Sequence, residues 1–308
     1  MSTQAARILF VDDEERIVRS LAMMFKAGFQ VLSTTDPDEA LELLRKQHVH
    51  VLVSDQRMPK MLGVDLLRRA RELSPNTMRL LLTGYSDLAA IVGSINEGEI
   101  FRYINKPWDP TDLRTTLTRA AEIGLQLEAA AAQPAAAAAS IADLRVLVID
   151  DAEQTYFDIK QHLGTRFDVR WGASLDEAFR MLSEDNFAIV ITDVKLKGQD
   201  ITAAIKTLKQ VSPTTLTIVL SVFQDSRLLI DLINQGQVFR YLPKPIRPHM
   251  LQISAEAAAS HYQRLKAAPV LVKQHEVAEA PKTAVASIPQ RVLGFLKRIR
   301  ERFTADAA

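Results

Sequence analysis

The amino-acid sequence predicts an α/β protein built from two copies of one domain, each a five-stranded parallel sheet with helices on both faces. Two observations carry that prediction. Chemistry-bearing residues of the first half return in the second at one spacing: Asp12 and Asp13 return as Asp150 and Asp151, Asp55 as Asp193, Thr83 as Ser221 and Lys106 as Lys244, each 138 positions on. INEGEIFRYINKP from Ile95 meets INQGQVFRYLPKP from Ile233 in the same register, as an internal duplication requires. In addition, short apolar runs bounded by polar or turn residues alternate with stretches in which apolar positions recur three and four apart, the signature of strands alternating with amphipathic helices.

In the first copy the expected strands are 7–11, 29–33, 49–54, 78–83 and 101–104. Their Val, Ile and Leu content without strict alternation suits a sheet covered on both faces. Helices are expected to begin near Glu15, Pro37, Gly63, Asp87 and Pro110. Asp36 before Pro37, and Asp109 before Pro110, each place an N-capping carboxylate ahead of a proline in the first turn, where the missing N–H has no intrahelical role. The fifth helix can run into the alanine-rich stretch after Glu128, since alanine has the best helix propensity, until Pro134 interrupts it. The second copy repeats the pattern with strands at 145–149, 168–171, 188–192, 217–221 and 239–242. The expected organisation is a first domain over 1–128, an Ala/Pro linker over 129–142, a second domain over 143–267 and a flexible tail over 268–308. In the tail a helix is expected at about 288–303: Val292, Phe295, Leu296, Ile299 and Phe303 share one face, and Arg291, Lys297, Arg298, Arg300 and Arg302 supply positive charge. That basic amphipathic helix suits an anionic membrane, an acidic partner helix, or packing onto a domain.

A chain of 308 residues has room for about two domains with cores of their own. The net charge of +1 carries no whole-chain signature of nucleic-acid binding, and no helix-turn-helix pattern is present, so no nucleic acid is expected as partner. The absence of cysteine excludes disulfides, thiolate nucleophiles and cysteine metal sites. No leader pattern and no apolar run of about 18 residues stands out, so a cytoplasmic protein is expected. The six histidines show no metal-ligand spacing and are expected on the surface.

In an open parallel sheet, ligands bind beyond the carboxyl ends of the strands, where strand order reverses. Asp12 and Asp13 close the first expected strand, Asp55 the third, Thr83 the fourth and Lys106 the fifth. Three carboxylates in one crevice repel one another unless a hard, oxygen-seeking divalent cation shares them, and Mg2+ is the expected ion. Its shell would draw on Asp12, Asp13, Asp55 and the backbone carbonyl of Arg57, and in the second copy on Asp150, Asp151 and Asp193. A carboxylate such as Asp55 can attack a phosphorus centre to form an aspartyl phosphate. Lys106 and the Thr83 hydroxyl then suit the remaining phosphoryl oxygens.

These residues resemble the receiver domain of two-component response regulators. LFVDDEE, VSDQRMPKMLG, LLTGY and INKPW stand where that family has its acidic pair, acceptor, switch hydroxyl and lysine-proline. The resemblance covers about 5–125 and again about 143–265, and in the first copy it is similar to receivers of cyclic-dinucleotide hydrolases and hydrogenase regulators. It implies a flavodoxin-like (βα)5 fold with strand order 2-1-3-4-5. It also implies Asp55 as phosphoacceptor from a histidine kinase or phosphotransfer protein, Thr83 and Tyr103 as switch residues, and Lys106 as phosphate contact. Carried to the second copy, it implies Asp193 as a second acceptor with Ser221, Lys244 and Tyr241. There Val222 stands in place of Gly84, Lys195 and Lys197 in place of Arg57 and Pro59, and Ile201 in place of Gly63.

The expected function is a response regulator whose phosphorylation reshapes a protein-binding surface, as a monomer or homodimer, without a DNA-binding or catalytic output domain. Two alternatives stay open: a phosphate sink or relay for a kinase, and an unphosphorylated interaction scaffold. A Mg2+-dependent phosphohydrolase of the haloacid dehalogenase kind fits less well, because its nucleophile and acid lie two apart after the first strand, whereas Asp12 and Asp13 are adjacent.

Overall fold

A computed structural model of the chain describes residues 5–84, 100–131, 144–222, 234, 238–267, 272 and 288–306. These fall into two compact units, one on either side of the alanine-rich stretch. The helix expected near Asp87 and most of the linker expected at 129–142 lie outside the described residues.

The first unit runs β1 (Arg7–Val11), α1 (Glu15–Phe25), β2 (Gln30–Thr34), α2 (Pro37–Lys46), β3 (Val51–Asp55), α3 (Gly63–Leu73), β4 (Met78–Thr83), β5 (Arg102–Asn105) and α4 (Pro110–Ala131). The sheet is parallel throughout, in the order β2-β1-β3-β4-β5. The chain winds outward from β1 to β2, then crosses back to β3, so order reverses between β1 and β3 and a crevice opens at their carboxyl ends. Ile8, Leu9, Leu52 and Leu80 are fully buried, which explains why these strands read as unbroken apolar runs. The expected caps form: Asp36 accepts a hydrogen bond from the Asp38 N–H, and Asp109 accepts from Thr111 and Asp112. The last helix does continue into the alanine-rich stretch, as far as Ala131.

The second unit runs β6 (Arg145–Ile149), α5 (Glu153–Leu163), β7 (Asp168–Gly172), α6 (Leu175–Glu184), β8 (Ile189–Thr192), β9 (Lys195–Leu196), β10 (Gln199–Asp200), α7 (Thr202–Val211), β11 (Leu216–Ser221), β12 (Val238–Pro243), α8 (Pro248–Ala267) and α9 (Gln290–Asp306). Its five-stranded sheet has the order β7-β6-β8-β11-β12, the same topology as the first. The antiparallel β9–β10 pair is an addition that the alternation of apolar residues did not foretell.

One glycine explains where the two copies part. A Cβ built on Gly63 would lie 2.1 Å from the Asp55 carbonyl oxygen, so α3 starts flush against the end of β3 only because no side chain is there. In the first copy the Gln56 N–H reaches the Leu82 carbonyl, which keeps Asp55 within the ladder. The second copy carries Ile201 at that position, buried in its core. There β8 stops at Thr192, and the Val194 N–H turns onto the Asp193 carboxylate instead. Gly63→Val is therefore expected to cost the first domain at least about 1–3 kcal/mol, the usual range for overpacking, read as a lower denaturant midpoint.

The helix expected in the tail forms as α9, and its apolar face is already used. Ile288, Val292, Leu296 and Ile299 enter one core cluster with Phe179 and Leu182 of α6 and Ile205 and Leu208 of α7. Arg302 donates to the carbonyls of Leu182 and Asp185 at the carboxyl end of α6, at 2.8 and 2.9 Å. This corrects the expectation of a membrane or acidic-partner contact through the apolar face of 288–303: that face is buried in the second unit, and Arg291, Lys297 and Arg298 stay exposed on the other side. An amphipathic pattern reveals that a face is buried without revealing what covers it. Leu296→Ala should destabilise the second unit by about 2–5 kcal/mol in chemical unfolding, as for other buried leucines.

Candidate functional site

At the carboxyl end of β1, Asp12 is buried and its Oδ1 accepts the Glu14 N–H at 3.0 Å. At the end of β3, Asp55 is also buried, with Oδ2 accepting the Arg57 N–H at 2.7 Å. Lys106, just beyond β5, places its ammonium 3.0 Å from Asp12 Oδ2 and 2.5 Å from Asp55 Oδ1. Thr83 closes β4 beside it: β4 and β5 pair Thr83 with Asn105, and the Lys106 N–H donates to the Thr83 carbonyl. Strand termini far apart in sequence thus deliver Asp12, Asp55, Lys106 and Thr83 to one crevice. Asp13 sits at its mouth, exposed. Tyr103 lies on β5 three residues before Lys106 and is buried, 3% exposed. The Lys106–Pro107 and Lys244–Pro245 peptide bonds are cis.

Burial raises the Asp12 carboxyl above its ordinary value, with the Glu14 amide and the Lys106 ammonium offsetting only part of that. For Lys106, burial opposes the charge, but the hydrogen bonds to Asp55 and Asp12 outweigh it and hold the amine above its usual 10.5. Lys106 is therefore a fixed cation at neutral pH. Three carboxylates around one ammonium still leave the crevice negative. An oxygen-only donor set of Asp12, Asp13, Asp55 and the Arg57 carbonyl suits a hard divalent ion such as Mg2+.

The second copy repeats the central contacts. Lys244 lies 3.2 Å from Asp150 Oδ2 and 2.7 Å from Asp193 Oδ2, and the Ala152 N–H caps Asp150 Oδ1 at 2.8 Å. Burial disfavours the Lys244 ammonium, yet its hydrogen bond to Asp193 and the charge of Asp150 keep it above the ordinary lysine value. Ser221 ends β11 beside Lys244, and the Tyr241 hydroxyl donates to the Ser221 carbonyl at 2.9 Å. Val222, the residue in place of Gly84, is 72% exposed. Asp151 differs from Asp13 in accepting the Lys197 N–H at 3.0 Å.

At the opposite end of the first sheet, His50 corrects the expectation of surface histidines. Its ring is buried, Nδ1 accepts the Arg7 N–H at 2.9 Å, and Nε2 lies 2.9 Å from Glu128. His48 stacks edge-on against it, with ring centroids 4.9 Å apart. His48, His50 and Glu128 lie close enough together to suggest a metal site. The tautomer argues otherwise: an Nδ1 that accepts from backbone leaves the proton on Nε2, where it donates to Glu128, and a metal there would break the Arg7 bond. The cluster ties α4 to the amino-terminal edge of β1 and β3. Its one sequence signal is His48-Val49-His50, and the partner Glu128 is too distant along the chain to be read from spacing.

Comparison with known proteins follows the same division. The family model described as "Response regulator receiver domain" matches residues 8–118 and 146–256. Over 127 residues the chain is 42% identical to the hydrogenase transcriptional regulatory protein HoxA of Cupriavidus necator, covering 41% of this chain and 26% of that protein. It is 40% identical over 123 residues to the HoxA of Bradyrhizobium diazoefficiens, covering 40% of this chain and 25% of that protein. The match thus spans about a quarter of the length of these curated relatives. Among solved structures, the signal receiver domain of an HD domain-containing protein from Pseudomonas fluorescens Pf-5 is 36% identical, with 42% of this chain and 96% of that chain covered and a TM-score of 0.40.

Proposed function

Since the chain belongs to the response regulator receiver domain family and carries two such domains, we propose that it is a signalling protein whose switch is phosphorylation of Asp55. In this reading the receivers occupy 1–128 and 143–267, the donor is a histidine kinase or phosphotransfer protein, and the protein works in the cytoplasm. The observation that carries the reading is the Lys106 ammonium held between Asp55 and Asp12, 2.5 Å and 3.0 Å away.

An Asp55 carboxylate oxygen attacks the phosphorus and the bond to the donor nitrogen or oxygen breaks. The leaving atom keeps the electron pair: a histidine nitrogen then takes a proton from water, whereas the oxygen of an acyl phosphate leaves as the carboxylate. Lys106 and the Thr83 hydroxyl face the phosphoryl oxygens as their charge grows, and because both are held by the fold they need little rearrangement in the transition state. The Arg57 N–H fixes the rotation of the carboxylate, so that one oxygen is presented and the other is restrained. Asp12, Asp13, Asp55 and the Arg57 carbonyl would hold Mg2+, which when bound supplies charge neutralisation for the incoming phosphoryl group.

The added phosphoryl group brings about −1.5 to −2 charge into a pocket whose cation is Lys106, and the Thr83 hydroxyl, carried on the fixed end of β4, needs only a side-chain rotation to face it. With Tyr103 beside it on β5, the change is passed to the face next to that strand, and the output is binding of a protein partner. The experiment is direct. The chain is incubated with acetyl phosphate and Mg2+, then proteolysed and mapped for hydroxylamine-labile phosphate. Phosphate on Asp55 is the expected result, and a chain that stays unmodified under these conditions, or carries its phosphate elsewhere, would falsify the reading.

A further inference from the structure

The acidic pockets of the two copies differ at one position that decides whether a cation has a place. In the first copy that position is Pro59, which has no backbone N–H and a φ fixed near −65°. In the second it is Lys197, with φ at 51°, followed by Gly198 with φ at 77°. Two successive positive-φ residues close β9 onto β10 through the two-residue turn that matches the twist of a hairpin. The turn aims the Lys197 N–H at Asp151, whose Oδ2 accepts it at 3.0 Å.

The neighbouring oxygens are also engaged. Asp150 accepts from Ala152 on Oδ1 and from Lys244 on Oδ2. Asp193 accepts from Val194 at 2.6 Å and Lys195 at 3.3 Å on Oδ1, and from Lys244 on Oδ2. In this the two pockets are alike, since Asp12 and Asp55 also have both oxygens engaged, by the Glu14 and Arg57 N–H groups and by Lys106. Asp13, by contrast, is exposed and has no donor among the described residues of the first copy. The difference lies in the third carboxylate: the second pocket lacks the donor-free aspartate that the first keeps in Asp13, and so offers fewer oxygens to a divalent ion that needs several at once.

We propose that the second domain is set without a divalent cation: the Lys197 N–H and the Lys244 ammonium together satisfy its acid cluster, and Asp193 is not a phosphoacceptor. This deepens the reading above and rests on it for the role of the first pocket. A backbone amide carries only a fraction of a charge, but the hairpin holds it in place, so no ion has to be recruited. The domain keeps one conformation whatever the state of the kinase, and the chain then offers partners a permanent surface as well as a switchable one.

The two tryptophans of the chain allow each pocket to be read alone. The Trp171 indole N–H donates to the Asp150 carbonyl at 2.8 Å, and Trp108 follows Lys106 by two residues. In a Trp171→Phe chain, Mg2+ titration is expected to change Trp108 emission. In a Trp108→Phe chain, Trp171 emission should not respond over the same range, and saturable quenching there overturns the proposal. Incubation of an Asp55→Asn chain with acetyl phosphate and Mg2+ gives an independent reading: the intact mass should show no added phosphate, and phosphate on Asp193 overturns the proposal. If Trp108 stays silent, it is the first-domain reading that fails, because the two signals come from separate chains. Exchanging Lys197-Gly198 for the Pro-Lys pair of the first copy, in the Trp108→Phe background, should create a Trp171 response to Mg2+. A folded exchange variant that stays silent removes the amide from its role, and if that variant does not fold the two wild-type hairpin measurements still decide.

Discussion

Asp55→Asn is expected to bring phosphate incorporation from acetyl phosphate down to background while leaving the fold in place. The amide is isosteric with the carboxylate and its oxygen still accepts the Arg57 N–H, which the carboxylate holds at 2.7 Å. What is lost is the anionic oxygen that attacks phosphorus. Lys106 keeps its second partner, Asp12, at 3.0 Å, and the repulsion between the Asp12 and Asp55 carboxylates disappears. Against that, the new amide N–H2 faces the ammonium donor to donor. These opposing effects should leave stability within about 1 kcal/mol of wild type, the scale of one hydrogen bond. Thermal unfolding and intact mass on the same sample check both halves. A chain that loses phosphate uptake only because it unfolds would remove the assignment of Asp55 as nucleophile.

Lys106→Met is expected to act differently, by weakening both the reaction and the domain. Methionine fills similar volume without charge, so Asp12 and Asp55 face each other with no cation between them. Phosphorylation by acetyl phosphate should slow by about 10²–10³, the usual loss when a preorganised electrostatic group is removed from a transition state. Stability at neutral pH should fall by about 1–3 kcal/mol, because partnered buried groups become unsatisfied. Added Mg2+ should raise the melting temperature of this variant more than that of wild type, since the ion then takes over the charge that the Lys106 ammonium supplied. Wild type has a further signature at high pH. The Lys106 value is raised above 10.5, so its contribution is fully present below 10.5 and lost as pH climbs through the folded value. Lys106→Met should lack that alkaline step in a pH series of denaturation midpoints. Equal Mg2+ responses in the two chains would argue against a shared cation and lysine crevice.

Much of the site was legible because it is carried by strand ends. A parallel α/β sheet places the last residue of each strand at one rim, so Asp12, Asp55, Thr83 and Lys106 could be brought together from strand order alone. The α9 contact was not legible, since Val292, Leu296 and Ile299 describe an apolar stripe and nothing in that stripe specifies the facing α6 and α7. His50 was missed for a related reason: its partners are the Arg7 backbone and Glu128, which only the packing of α4 on the sheet brings near. The β9–β10 hairpin left a weak trace in Lys197-Gly198, but a positive φ at lysine is uncommon enough that the turn could not be assigned from residue types.

Sequence alone determined the doubling of the domain and the residue types that end each strand, because the 138-residue repeat and the apolar periodicity are read directly along the chain; the strand order came with the family resemblance. Tertiary structure alone decided how each acidic cluster is satisfied. Hydrogen-bond donors are assigned by distance and direction, not by spacing: Ile201 in place of Gly63 moves a strand end, a turn swings the Lys197 N–H onto Asp151, and two pockets with the same carboxylates, hydroxyl and lysine come to hold them differently.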